Sequence, residues 1–114
     1  MDRKILECKA EFYNKQEGGK FPCSNQIVIC GIITDDRDKA LSIMNKKGAT
    51  IKLQSYHRVE WELDNEKWLW RNWNESCRGY RLYKVIVDEN VDENVFRYLI
   101  SPLCANYCCS FEII

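Results

Sequence analysis

The stretch from His57 to Glu89, HRVEWELDNEKWLWRNWNESCRGYRLYKVIVDE, holds all four tryptophans and the only histidine of the chain. Alternation of apolar and polar residues over 57–73 predicts a β-hairpin with its turn at Asn65-Glu66. Because alternate strand residues share a face, this turn collects the large apolar side chains on one side. The expected cross-strand pairs on that side are Trp61 with Trp70 and Leu63 with Trp68.

The opposite face of this hairpin is polar and rich in arginine. The same register pairs Glu60 with Arg71 and Arg58 with Trp73, which predicts an ion pair and a cation–π contact. Arginine, tryptophan and tyrosine dominate binding hot spots, and they can also grip phosphate and stack on bases. We therefore expect a ligand- or partner-binding surface made of Arg58, Arg71, Trp73, Arg78, Tyr80 and Arg81.

Around the hairpin the sequence alternates between strand-like and helix-like segments. Period-two alternation predicts a strand over 5–13, and a near-continuous apolar run predicts a buried strand over 26–34. Asp35 or Asp36 can cap a helix that ends at Gly48, and Asp92 can cap a second helix that ends at Pro102. Further strands are predicted over 49–56, 80–87 and 107–114.

These elements predict one small α+β domain over residues 1–114, since a chain of this length fits a single core. The order of the elements resembles the split β-α-β pattern of ferredoxin-like folds. We expect a mainly antiparallel sheet with two helices, to which an N-terminal strand and the Trp-rich hairpin are added.

Composition limits the classes of function. Net charge is zero, with 17 basic and 17 acidic residues, which disfavours binding of extended duplex nucleic acid. No apolar segment approaches the ~18 residues of a membrane span. The odd count of seven cysteines, without a segment of signal-peptide character, predicts free thiols in a cytoplasm.

The run Val85-Ile86-Val87-Asp88-Glu89 is similar to the Walker B strand of P-loop ATPases. With the preceding Arg78-Gly79-Tyr80-Arg81, residues 48–103 resemble this region of phage terminase ATPases. The resemblance implies that Asp88 organises magnesium and that Glu89 polarises the attacking water. No Gly-x-x-x-x-Gly-Lys-Ser/Thr loop accompanies it, so the resemblance implies a degenerate relative. The alternative interpretation is a buried strand that ends at a polar cap.

A metal site is a second alternative. Cys104, Cys108 and Cys109 offer closely spaced thiolates, and His57 could complete a tetrahedral zinc site. The other interpretation is that these cysteines are small buried hydrophobes, because no pair of Cys-x-x-Cys motifs is present.

The sequence favours a non-catalytic binding protein without a cofactor over an enzyme. In size and in its richness in Ile, Asn and Lys, it resembles small phage accessory and anti-defence proteins. That resemblance implies binding and inhibition of a host defence protein, or sequestration of an anionic nucleotide, with homo-oligomers possible. The alternative is a metal-dependent phosphoryl-transfer enzyme, or a degenerate P-loop ATPase, that uses Asp88 and Glu89.

Overall fold

A mixed β-sheet lies between helices on its two faces. The computed structural model describes residues 1–15, 28–74, 77, 80–105 and 108–114, which contain six strands and three helices. The strands are β1 (Val28–Ile33), β2 (Thr50–Gln54), β3 (Arg58–Leu63), β4 (Glu66–Arg71), β5 (Lys84–Val87) and β6 (Ser110–Ile113). The helices are α1 (Arg3–Asn14), α2 (Arg37–Lys46) and α3, which joins Glu93–Val95, a π-helical turn over Phe96–Ile100, and Ser101–Cys104.

The strand order is β2-β3-β4-β1-β5-β6. β1 runs parallel to both β4 and β5, and β5 runs parallel to β6. Only the pairings of β3, with β2 and with β4, are antiparallel. The expected mainly antiparallel, ferredoxin-like sheet is therefore corrected to a mixed sheet with a parallel centre. The continuous apolar character of β1 suits this position, because central parallel strands are covered on both faces.

The predicted N-terminal strand is instead helix α1, which raises the number of helices from two to three. Asp2 caps the helix, since its side chain accepts a hydrogen bond from the Lys4 amide at 2.9 Å. Leu6 and Tyr13 are buried and Ala10 is half-buried, a spacing that places all three on one helical face. Phe12, which the strand pattern placed inside, is 58% exposed.

Helix α2 follows the sequence prediction. Asp36 is its N-cap and accepts a hydrogen bond from the Lys39 amide at 3.1 Å. Ala40 and Met44, four residues apart, are its buried residues. Gly48 has a φ of +80°, the left-handed conformation in which glycine commonly ends a helix.

The Trp-rich hairpin is confirmed, but its turn lies one residue earlier than predicted. Asp64 and Asn65 have φ of 50° and 65°, which makes a two-residue turn of the type that matches strand twist. Asp and Asn tolerate positive φ better than Glu, and this preference explains the position. The new register pairs Trp61 with Trp68, Val59 with Trp70 and Arg58 with Arg71. Because pairing shifts by two residues, each tryptophan keeps its predicted face.

Each face of the sheet has its own apolar cluster. On the α2 side the buried residues are Cys30, Ile32, Ala40, Met44, Val59, Trp61, Trp68, Trp70 and Ile86. On the other side α1 and α3 cover a larger cluster that includes Leu6, Tyr13, Leu69, Val85, Val87, Phe96, Leu99, Ile100 and Phe111. The sheet thus forms the middle of three layers.

We expect Trp61→Ala to lower the free energy of unfolding by ~3–5 kcal/mol, because the indole is only 2% exposed and its removal leaves a cavity. Urea unfolding measures the loss. Ile51→Ala is the control, since Ile51 pairs with Trp61 across β2 and β3 but is 47% exposed. Equal effects of the two substitutions would contradict the burial of Trp61.

Candidate functional site

The carboxyl ends of β1 and β5 lie side by side, and the connections that leave them lead to opposite edges of the sheet. β1 continues through α2 toward β2 at one edge of the sheet, and β5 continues through α3 to β6 at the other. In open sheets of this kind, ligands bind in the crevice outside the carboxyl ends of such strands. Thr34 follows β1 and Asp88 follows β5, so the predicted Asp88 lies at this crevice.

Asp88 is almost fully enclosed by donors. The Thr34 hydroxyl donates to Asp88 Oδ2 at 2.8 Å, and Lys39 Nζ lies 3.1 Å from the same oxygen. The Asn90 amide donates to Asp88 Oδ1 at 3.0 Å, and Asp88 is 4% exposed. The carboxylate therefore ties the end of β1, helix α2 and the loop after β5 together.

Burial works against the charged form of Asp88, but hydrogen bonds from Asn90, Thr34 and Lys39 outweigh it and lower the pKa of the carboxyl group. A carboxylate with these donors is a stabilised anion and a poor proton acceptor. Thr34 and Lys39 both bind Oδ2, and the Asn90 amide binds Oδ1.

Glu89 points to the other face of the sheet. Its carboxylate is 2.9 Å from Arg3 Nη1 on α1, and its side chain is 43% exposed. Lys39, the cation that binds Asp88, belongs to α2 on the opposite face. The two acids of the Walker B-like motif thus have separate partners and do not share one site.

The alternative metal ligands lie at opposite ends of the sheet. His57 follows β2 at the carboxyl edge, where its Nδ1 is 3.0 Å from Asn72 Nδ2. Cys108 and Cys109 precede β6 at the amino edge, where the Cys108 amide donates to the Cys104 carbonyl at 2.9 Å. Across the described ranges, no three His, Cys, Asp or Glu side chains are grouped to hold a metal ion.

Arg58 and Arg71 face each other directly on β3 and β4. Arg58 Nη2 is 2.9 Å from the Glu60 carboxylate. Arg71 Nη1 donates to the Tyr80 hydroxyl at 3.2 Å, and its guanidinium carbon lies 5.7 Å from the centre of the Tyr80 ring. The structure therefore brings together three of the predicted binding residues, Arg58, Arg71 and Tyr80. We call Arg58 and Arg71 the guanidinium pair.

The other predicted binding residues have different positions. Trp73 is 8% exposed, and its indole nitrogen donates to the Ile32 carbonyl at 2.9 Å. Trp73 thus packs in the core cluster, and the predicted pair of Arg58 with Trp73 is replaced by Arg58 opposite Arg71. Arg81 is exposed beside Tyr80, and Arg78 lies outside the described residues.

Sequence reasoning predicted Glu60 as the ion-pair partner of Arg71, but Glu60 instead pairs with Arg58 and Lys67 and is 7% exposed. Burial opposes its charge, but Lys67 and Arg58 outweigh burial and lower its pKa. The position of Glu60 two residues from Arg58, on the polar face of the same strand, is the signal that could have identified the first of these pairs. Next to Glu60 is a surface pocket of about 480 Å³, lined by Lys52, Leu53, Glu60, Trp61, Glu62, Asn65, Glu66 and Lys67.

Comparison with protein-family models, curated proteins and solved structures finds no match to this chain. The resemblance of residues 48–103 to a Walker B region therefore stays a prediction from the sequence. The structure also contains, within the described ranges, no helix with the length and apolar character needed to cross a bilayer.

We expect Asp88→Asn to destabilise the fold by roughly 1–3 kcal/mol at neutral pH, because Thr34 and Asn90 lose a charged acceptor. The folded-state pKa of Asp88 is lowered, so its contribution is present above the unfolded pKa of about 3.9 and is lost as pH falls through the folded value. Unfolding titrations at several pH values measure this difference.

The matched control is Asp35→Asn, which removes an exposed carboxylate from the same edge of the sheet. It should change stability by no more than about 0.5 kcal/mol. A stability difference between wild type and Asp88→Asn that is unchanged from neutral to strongly acidic pH would contradict the assigned role of the Asp88 charge.

Proposed function

We propose that this chain is a non-catalytic binding protein whose guanidinium pair, Arg58 and Arg71, engages an anionic group of a partner. The observation that carries the proposal is the direct pairing of two half-buried arginines on neighbouring antiparallel strands. Directly opposed strand residues have Cβ atoms about 4.5–5.5 Å apart, where like charges repel. A shared oxyanion would relieve that repulsion.

Each arginine of the pair is already oriented. Glu60 holds Arg58, while the Tyr80 hydroxyl and ring hold Arg71. A guanidinium group presents a planar fork of donors that matches a carboxylate or a phosphate. Because side chains held in place lose less freedom on binding, this arrangement favours recognition of an oxyanion.

Charge around the pair favours a protein partner over a nucleotide. The neighbouring pocket contains the carboxylates Glu60, Glu62 and Glu66 beside Lys52 and Lys67. These acids would repel a compact polyphosphate, whereas a protein surface that carries both signs of charge can complement them. The mixed charge around the pair and the resemblance in composition together support a phage-encoded protein that binds and inhibits a host defence protein in the bacterial cytoplasm. Sequestration of a nucleotide is the competing possibility.

The bonds of Asp88 also support binding over catalysis. Its carboxylate is occupied by Thr34, Lys39 and the Asn90 amide, and Glu89 is turned toward Arg3. The position of Asp88 at the carboxyl end of β5 is the observation in favour of the phosphoryl-transfer alternative. Magnesium-dependent ATP hydrolysis that disappears in Asp88→Asn would replace our proposal with that alternative.

We expect the double variant Arg58→Ala/Arg71→Ala to weaken partner binding more than tenfold, since each guanidinium loses a charge-assisted contact. Affinity purification from the host, with quantitative mass spectrometry, identifies the protein partner, and titration calorimetry on that partner measures affinity. Cyclic dinucleotides and ATP serve as the nucleotide probes.

Arg97→Ala is the matched control, because Arg97 is exposed on α3, where it pairs with Glu93. This variant should bind as wild type does, and both variants should keep a cooperative melting transition. Wild-type affinity in a folded double variant would overturn the assignment of the surface. Tight binding of a nucleotide probe through the pair would show that the ligand is a nucleotide.

A further inference from the structure

Two cysteines are brought together where α3 ends and β6 begins. Cys104 is the last residue of α3, and Cys108 precedes the first residue of β6 by two positions. The Cys108 amide donates to the Cys104 carbonyl at 2.9 Å, which brings the two backbones together across the junction. A disulfide joins residues whose Cα atoms are about 4.4–6.8 Å apart, a separation that two residues joined by a backbone hydrogen bond can meet.

Both side chains are enclosed in this junction. The thiols of Cys104 and Cys108 are free, and neither residue has exposed surface. The Cys108 thiol donates to the Ser110 carbonyl at 3.3 Å. The backbone hydrogen bond and the shared burial therefore hold the two cysteines at one place in the core before any bond forms.

The influence of each thiol on the other makes the two unequal. The Cys104 thiol lowers the pKa of Cys108, against the opposing effect of burial. The Cys108 thiol, together with burial, raises the pKa of Cys104. Because the thiolate is the reactive form, Cys108 is the nucleophile of the pair.

The other described cysteines have different surroundings. Cys77 is equally buried, but its thiol faces the Asn72 carbonyl at 3.7 Å. Burial raises the pKa of Cys30 to about 12, and Cys8 is exposed on α1. Cys77 therefore provides a control with the same burial and a carbonyl in place of the thiol partner.

We propose that Cys104 and Cys108 are a reversible oxidation site that forms an intramolecular disulfide with a peroxide as oxidant. The Cys108 thiolate attacks one peroxide oxygen, the O–O bond breaks, and one water leaves with the formation of a sulfenic acid. The Cys104 sulfur then attacks the sulfenic sulfur, the S–O bond breaks, and a second water leaves. Two thiols lose two electrons and hydrogen peroxide gains them, and a dithiol reductant reverses the reaction.

The bond would fasten the end of α3 to the segment that enters β6. Both of these segments are hydrogen-bonded to the chain before β5, through Leu82 N to Leu103 O at 2.9 Å and Cys109 N to Tyr83 O at 2.8 Å. Since both sulfurs are buried, peroxide reaches them in locally opened states of this junction. The proposal is independent of the function assigned to the guanidinium pair.

The test treats the reduced, folded chain with hydrogen peroxide and measures its intact mass and its disulfide-linked peptides. We expect a loss of about 2 Da and one crosslinked peptide that joins Cys104 to Cys108. A dithiol reductant should restore the original mass. Cys77→Ala should form the same crosslink at the same rate, whereas Cys104→Ala should not form it.

A trapping experiment tests the order of events. In Cys104→Ala the sulfenic acid has no resolving thiol, so dimedone should label Cys108. In Cys108→Ala, labelling of Cys104 should be at least tenfold weaker. Crosslinks to Cys77 or Cys109 in the wild-type chain, or oxidation to sulfinic acid without a crosslink, would overturn the proposal. The wild-type peptide map decides this even if a variant does not fold.

Discussion

The structure depends on the insertion of β1 between β4 and β5. This strand is apolar, and its last four residues are buried. Both neighbouring strands run parallel to it, so it is hydrogen-bonded on both sides and covered on both faces. Gly31 makes close packing possible, because a Cβ there would lie 3.1 Å from the side chain of Leu82. Among the described strands, β1 is the one that joins the β2-β3-β4 part of the sheet to the β5-β6 part.

Backbone carbonyls at the end of β1 position the surrounding elements. The Trp73 indole donates to Ile32 O, and the Trp70 indole donates to Thr34 O at 2.8 Å. The Asp88 amide donates to Ile33 O at 2.9 Å, and the Asp88 side chain accepts from Thr34. Residues that resembled a catalytic motif or a binding surface in the sequence are therefore used to hold β1 in place.

The carboxyl edge of the sheet is occupied by these contacts, and the candidate site lies instead on the polar face of β3 and β4. Glu60 lies between Arg58 and Lys67, and its burial fixes the direction in which Arg58 extends. Tyr80 arrives from the chain before β5 and meets Arg71. The candidate site thus combines a local hairpin with a residue that only the tertiary fold brings to it.

The sequence by itself determined features that depend on one or two residues. The start of α2 follows from capping by Asp36, and its end follows from the backbone freedom of Gly48. Strand periodicity puts Trp61, Trp68 and Trp70 on one face. Three features are not fixed by such local patterns, and the tertiary structure decided them. Residues 3–14 form a helix packed on the sheet, β1 lies parallel between β4 and β5, and Arg58 pairs with Arg71. The physical reason is that the apolar residues of a segment such as 3–14 fit both the period of a strand and the period of a helix. Burial against a distant strand selects one of the two. Pairing between strands far apart in sequence likewise depends on packing across the whole sheet, which no local pattern encodes.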